Sequence, residues 1–483
     1  MATSDFSDSP PRPPEKILPR VELPTMFQLG LFNLGLGLMA VLTVAVINRV
    51  MISELGIPGW VTATAVAMPY FVAPARVWFG QLSDSKPLFG LHRTSYVRLG
   101  TTVFGIAVFL AVQVVWQLGS AVRASGGWVW NEQTMTWTAL LALLFAVYGM
   151  AVSASSTPFT ALLVDISEED NRSRIVAIVW SMLMVGIVIG GISGKVLLKR
   201  VQQVGETTPM EALQPPINSL FIVVPLIVLA LSAIATWGIE KKYSRFLRRS
   251  SAGDREDSMT LGRSLKILTA SRQTGIFFSF LLVLTIGLFL QEAVLEPYGG
   301  EVFGMEIGET TLLNSYWGMG ILVGYSTTGF LVVPRLGKKL TTQIGCLFVA
   351  ICFVLIAFSG FTQDPMLLKT VIFIFGLGAG TATIGAISLM LDLTAAETAG
   401  TFIGAWGLSQ ALARAIAISS GGFILDFGRQ LFSAPLPAYS LVFGLQAVAM
   451  LVAIYILTQV SVKEFQTNAK RAIATVMEGD LDG

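Results

Sequence analysis

Histidine is almost missing from this chain. One residue, His92, serves all 483 positions, and it lies in a polar stretch between apolar runs. Cysteine is nearly as scarce, with Cys346 and Cys352 alone. Those two stand six apart in one apolar segment and do not share a helix face. They read as small hydrophobes rather than a disulfide or a metal pair. No zinc, haem or imidazole-based catalytic site can be built from that inventory. Charge is short as well: Asp, Glu, Lys and Arg make up 13% of the residues, against roughly 25% in a soluble domain. Apolar residues fill the gap, at 53% of the chain and a mean hydropathy of +0.70. Such a chain cannot clothe itself in polar surface, so it is read as a polytopic membrane protein. The net charge of +2 points to no nucleic-acid partner, because the basic residues occupy short loops rather than one patch. Gly-x-x-x-x-Gly-Lys-Ser/Thr is absent, and "GLGAG" (376–380) lies mid-run with no strand before it, so a nucleotide loop is rejected.

A bilayer crossing needs about 20 apolar residues. The sequence offers about twelve such runs: 25–52, 58–82, 94–118, 134–157, 174–199, 217–239, 273–297, 309–333, 340–360, 366–392, 398–423 and 435–460. The Pro-rich, charged segment 1–24 has no apolar core of a signal peptide and is expected to be a disordered cytoplasmic tail, as is 461–483. Lys and Arg concentrate in one set of loops, which predicts both termini on the cytoplasmic side. Trp128, Trp130 and Trp137 cluster in a loop of the other set, as an interfacial girdle does.

The longest polar break, 240–272, is basic and Ser-rich and reads as a cytoplasmic linker. It separates a first bundle, 25–239, from a second, 273–460. Repeats support the split. "LLVDISEED" (162–170) is echoed by "LMLDLTAAE" (389–397), "GQLSDSKPLFGLHR" (80–93) by "GFLVVPRLGKK" (329–339), and "LTVAVINRVMISEL" (42–55) by "LTIGLFLQEAVLEP" (284–297). Each "D" block is followed by a Gly-rich run. The expected fold is therefore an all-α membrane protein, with twelve transmembrane helices in two pseudo-symmetric six-helix bundles. That arrangement resembles the major facilitator superfamily, in which parallel halves flank a midplane cavity. Glycines four apart, at 186/190, 320/324, 376/380 and 400/404, predict close helix packing.

Polar residues inside the apolar runs are the candidate functional groups. Gly80, Leu82, Asp84, Gly90 and Arg93 look like a stretched Gly-x-Leu-x-Asp-x-x-Gly-Arg loop of that superfamily; the second copy has Val333 where the acid belongs. Such an anion can sit against a helix N-terminus of the other half and latch the cytoplasmic side, with Gly80, Asp84, Arg93 and Arg76 as the candidate latch. Positive-inside anchoring is the plainer alternative. Arg76 lies about 12 Å of helix from Asp84, close enough to the membrane surface for snorkelling to be an even alternative to a functional role. Arg414 lies deep in its run, one turn after Gln410, where a charge costs several kcal/mol unless it is paired or faces water. It is expected to face a cavity or a carboxylate. Asn48-Arg49 ends the first run and Gln291-Glu292 the seventh. Aligning the repeats predicts Arg49 opposite Glu292, as an outer gate or around a polar ligand group, with interfacial snorkelling as the competitor.

Four blocks carry a closer resemblance: "FNLGLGLMAVLTVAVINRVMISELGIPG", "APARVWFGQLSDSKPLFGLHRTSYVRLG", "PFTALLVDISEEDNRSRIVAIVWSMLMVGIVIGG" and "EPYGGEVFGMEIGETTLLNSYWGMGILVG". From about residue 25 to 465 the chain resembles the PucC/LhaA-type branch of the superfamily, closest to its members from oxygenic phototrophs. The resemblance implies a non-enzymatic membrane factor that hands chlorophyll or bacteriochlorophyll to antenna or photosystem polypeptides, in a thylakoid or other photosynthetic membrane. Chlorophyll-synthesis enzymes are further expected partners. The residues add a constraint. Chlorophyll magnesium takes an axial oxygen or nitrogen ligand, and no histidine lies in a span, so a permanent antenna is not expected. Transient binding through Asn48, Gln291, Glu292, Glu296 or Gln410 is. Two other functions remain open: a proton-coupled small-solute transporter, with Glu292 or Glu296 as proton site and Arg414 as counter-charge, and a non-transporting scaffold for antenna assembly.

Overall fold

The structure, a computed structural model, describes residues 19–167, 169–198, 210–244, 272–392 and 399–461. Among these, ten helices are long and apolar enough to cross a membrane. Two further expected spans also fold as helix but fall short of that measure. The second is broken into Gly59–Phe71 and Ala75–Ser85. The eighth, Ile307–Thr327 with its continuation Val333–Leu336, carries too many polar residues. The protein is a multi-pass integral membrane protein. The expected first tail is shorter than 1–24: Val21 is buried and Leu23 and Pro24 already open the first helix. Residues 1–18, nearly all of the expected second tail and most of the expected linker lie outside the described residues.

The chain begins and ends its described course at one face of the bundle, called here the terminal face. Span 1 (Leu23–Glu54) runs from it to the opposite face. Gly56 at φ 65° then ends the helix, and the Ile57 amide donates to the Met51 carbonyl. Span 7 repeats this ending. It comprises Arg272–Phe289, a 3-10 turn over Leu290–Ala293 and Leu295–Phe303. Gly304 at φ 66° closes it, with the Met305 amide on the Gly299 carbonyl. Left-handed backbone of this kind favours glycine at both stops.

Each half has its own apolar core. In the first half it runs through Val46, Phe104, Phe145 and Phe221, and in the second through Phe280, Phe353, Phe375 and Tyr439. Glycine contacts knit the helices within each half. Gly186 and Gly190 of span 5 (Glu169–Leu198) lie against the backbone of Leu34 and Leu38. Gly320 and Gly324 of span 8 meet Phe373 and Leu377 of span 10 (Pro365–Asp392), and Gly376 and Gly380 return the contact. A Cβ at Gly186, Gly320, Gly324, Gly376 or Gly380 would strike backbone, and one at Gly190 would crowd it. The surroundings of Gly400 and Gly404 lie outside the described residues. Cys346 and Cys352 are free and buried among apolar side chains.

The halves meet along two helix pairs, span 2 with span 11 (Ala399–Leu431) and span 5 with span 8. Gly422 packs on the Gly59 carbonyl, and Gly191 on Ser315. Hydrogen bonds and ion pairs join the halves toward the opposite face, among them Asn48 to Glu292, Ser53 to Glu301, and Gly59 and Trp60 to Asp426.

Candidate functional site

Two helix breaks build the site. In span 2, Pro69 lies inside the first segment and Pro74 precedes the second, with a three-residue turn at 72–74 between them. Tyr70 sits beside that break. In span 7, Pro297 has no N–H to offer the Ala293 carbonyl, and the helix tightens into the 3-10 turn just before it. That turn carries Gln291 and Glu292. It points the Glu292 carboxylate at span 11, where Arg414 meets it.

The Arg414–Glu292 pair is bidentate. Nε donates to Oε2 at 2.8 Å and Nη2 to Oε1 at 2.6 Å. The guanidinium carbon lies 4.2 Å from the Phe289 ring centre and 4.6 Å from that of Tyr70, so the cation is held between two rings. Tyr70 belongs to the first half and the other three to the second. Arg414 stands midway along its helix, yet its side chain is 28% exposed and that of Glu292 15%. A charge at that depth is tolerable because it is forked to a carboxylate and opens onto the space between the halves. Gln410, one turn before Arg414, is half-buried on the same helix.

Around this pair runs a polar chain. Asn48 Nδ2 donates to the Glu292 carbonyl at 3.0 Å, from the other half. Gln446 Nε2 donates to Gln291 Oε1 at 2.6 Å and to the Gly287 carbonyl at 2.9 Å. Asn314 Nδ2 donates to Glu296 Oε1 at 2.8 Å, while Glu296 Oε2 is buried without a partner.

The expected Arg49–Glu292 contact does not form. Arg49 pairs with Glu54 of its own span at 3.1 Å and lies across the bare Cα of Gly300. The reason is that each charge has another partner: Glu292 is forked by Arg414, and Arg49 turns toward Glu54 and Gly300. Ser53 Oγ donates to Glu301 Oε1 at 3.1 Å from the other half.

The candidate cytoplasmic latch resolves into separate parts. Arg93 is 1% exposed and donates through Nε to Asp165 Oδ2 at 2.9 Å and through Nη1 to Ser83 Oγ at 2.5 Å. The Glu240 carboxylate accepts from the backbone N–H groups of His92, Arg93 and Thr94, at the N-terminus of span 3 (Thr94–Ala124). These bonds stay within the first half. A Cβ at Gly80 would come into ordinary contact with the Thr157 methyl, at 3.5 Å. The side chain of Asp84 lies outside the described residues. Arg76 is exposed and has no hydrogen bond or ion pair among the described residues.

A carboxylate at a helix N-terminus of the other half does exist, but at the opposite face. Asp426 of span 11 accepts from the N–H groups of Gly59 at 3.0 Å and Trp60 at 2.7 Å, where span 2 begins. Arg429 bonds Glu301 at 2.7 Å, and Glu309 lies 3.6 Å from Lys195 across the seam. Trp60 stacks on Phe423 at 5.4 Å and meets Trp130 at 5.6 Å, which turns the expected girdle into a bridge between halves. The sequence shows Asp426 and Arg429 as charges near a span end, with no signal that they reach the other half.

The sequence pattern of the PUCC protein family matches residues 46–465. The chain belongs to the PucC family. It is 31% identical over 469 residues to the "Bacteriochlorophyll synthase 44.5 kDa chain" of Rhodobacter capsulatus, covering 94% of this chain and 98% of that protein. To "Protein PucC" of the same organism it is 27% identical, covering 90% and 91%. Solved structures share the fold of this PucC-family chain at low identity. The nucleoside transporter NupG superposes with a TM-score of 0.66 at 12% identity, over 90% of this chain and 98% of that one. A bacterial homologue of the iron transporter ferroportin gives 0.62 at 15%, over 90% and 97%. The PucC-family fold here is that of major facilitator superfamily transporters.

Proposed function

We propose that this PucC-family protein holds a magnesium tetrapyrrole, chlorophyll or bacteriochlorophyll, transiently between its halves and passes it to light-harvesting or photosystem polypeptides. The observation that carries the reading is the Arg414–Glu292 pair at mid-depth, flanked by Tyr70 and Phe289 and opening onto the inter-half space. Aromatic faces suit a planar macrocycle. The polar groups close by, Gln410 and the Tyr70 hydroxyl, are weak magnesium ligands, and weak ligation suits a carrier that must release its cargo. The name of the 31%-identical relative links this lineage to bacteriochlorophyll. The chain acts without covalent chemistry, in a photosynthetic membrane with both termini in the cytoplasm. Chlorophyll-synthesis enzymes are proposed as donors.

Gentle solubilisation, purification and pigment extraction test this. Co-purifying tetrapyrrole and antenna polypeptides are the expected result. Antenna polypeptides without pigment favour the assembly scaffold. Glu296 favours a second reading, because its unpartnered buried oxygen suits a carboxyl group that carries a proton. Uptake of a small solute driven by a pH gradient in proteoliposomes, lost in Glu296→Gln, supports that proton-coupled transporter instead.

A further inference from the structure

The break in span 7 aims the Glu292 carboxylate, and helices of both halves hold that break. Phe289 (φ −116°, ψ −2°) and Val294 (φ −120°, ψ −12°) bracket the 3-10 turn Leu290–Ala293. The Val294 N–H reaches back to the Gln291 carbonyl at 2.9 Å, the shorter 3-10 step. Carbonyls that fall out of the α-helical ladder need other donors. Span 12 (Pro435–Thr458) supplies one, since Gln446 Nε2 donates to the Gly287 carbonyl at 2.9 Å. Span 11 gives the Leu290 carbonyl its space, which a Cβ at Gly421 would fill. The Glu292 carbonyl takes its hydrogen bond from Asn48 Nδ2 of span 1, at 3.0 Å, and Asn48 is fully buried.

Gln446 and Gly421 belong to the same half as span 7 and move with it. Asn48 belongs to the other half. It stands five residues before Ser53, whose hydroxyl donates to Glu301, so spans 1 and 7 are bonded at two levels on the way to the opposite face. Parting of the halves at that face withdraws Asn48. A buried carbonyl without a donor is unfavourable. Rewinding the 3-10 turn into α-helix offsets the loss, because it brings the Glu296 N–H under the Glu292 carbonyl. Rewinding turns the chain by about 20° per residue. Glu292 is the third residue of the turn, so its carboxylate swings with it. A bidentate fork does not survive such a rotation.

We infer that Asn48 is a positioning residue that couples closure of the opposite face to the Arg414–Glu292 pair. With the face closed, Asn48 holds the turn, Glu292 forks Arg414, and the charge at the centre of the site is neutralised. With the face open, the turn rewinds and the fork breaks. Arg414 and Glu292 then meet water or a polar group of the cargo. The site thereby differs in affinity between the two states, as loading in one and release in the other requires. The coupling is a property of the fold and holds for a pigment carrier and a solute transporter alike.

Linkage makes the coupling reciprocal, and its test needs no cargo. The probe is Ser53→Cys in the full chain in lipid nanodiscs, labelled with a membrane-impermeant maleimide. Glu292→Gln or Arg414→Gln is expected to raise the labelling rate by about fivefold or more, because the closed seam loses the pairing that favours it. In an Asn48→Leu background the same changes leave labelling at the level of that background. Thermal melts supply the converse: the coupling energy between Glu292→Gln and Arg414→Gln falls by about half or more when Asn48 is replaced. Asn48→Ala removes the donor without adding bulk and takes over if Asn48→Leu does not fold. The arms with Asn48 intact stand in either case. Labelling that ignores both Glu292→Gln and Arg414→Gln overturns the inference. A rise of equal size with and without Asn48 also overturns it and leaves Asn48 an ordinary seam contact.

Discussion

Arg414 of span 11 forks onto Glu292 of span 7 at 2.6 and 2.8 Å, between the rings of Phe289 and Tyr70. The pair ties two helices of the second half together and presents its remaining face to the first. Removing one partner leaves the other charge unpaired inside the bundle. Glu292→Gln or Arg414→Gln is therefore expected to destabilise the protein by about 2 kcal/mol or more, discounted from the fully buried case for partial exposure. The double variant should be closer to wild type than either single. Thermal melts of the three variants in one detergent check this; additive losses would mean the pair does not act as a unit.

Asp426 closes the opposite face by capping the first turn of span 2 from the other half. Asp426→Ala is expected to loosen that seam. A Ser53→Cys probe at the seam should then react several-fold faster with a membrane-impermeant maleimide. Background labelling is low because Cys346 and Cys352 are buried. Unchanged reactivity would assign Asp426 no part in closure.

Gly300 gives Arg49 its resting place, since a Cβ there would meet the guanidinium. Gly300→Ala should destabilise the protein, and Arg49→Ala in that background should recover part of the loss. A coupling energy of about 1 kcal/mol or more in the double-mutant cycle is the expected outcome. No coupling would place the strain elsewhere.

Arg93 and Asp165 are exposed by 1% and 2% and pair at 2.9 Å. Asp165→Asn should cost about 3–5 kcal/mol, because it strands a buried guanidinium. Arg93→Lys should not restore wild-type stability, since an ammonium cannot reach Asp165 and Ser83 in the same fork. Chemical denaturation of the detergent-solubilised protein reads both.

Ten of the expected spans were legible in the sequence, because length and hydropathy mark helices able to cross a bilayer, whereas the second and eighth fold as helix yet fall short of that measure. The glycine pairs at 186/190, 320/324 and 376/380 likewise announced close packing and make it. Partners of the charges were not legible. Arg414 invited a carboxylate, but the choice of Glu292 depends on a 3-10 turn that only the folded helix displays. Arg49 was set against Glu292 by a Leu-Thr match, and the two spans do meet there through Asn48, but the Arg49 side chain turns to Glu54 of its own span. Asp426 and Glu240 cap helices that lie far away in sequence, and no local pattern marks such a contact.

The central claim is that the chain passes a pigment between proteins. The most direct measurement loads the purified chain with chlorophyll in bilayers, adds apo antenna polypeptides, and follows energy transfer within the refolded antenna over time. Transfer that is faster than from pigment in lipid alone, and slowed in the Glu292→Gln variant, is the predicted result. A rate set by free pigment in the lipid, the same with and without the chain, would contradict it.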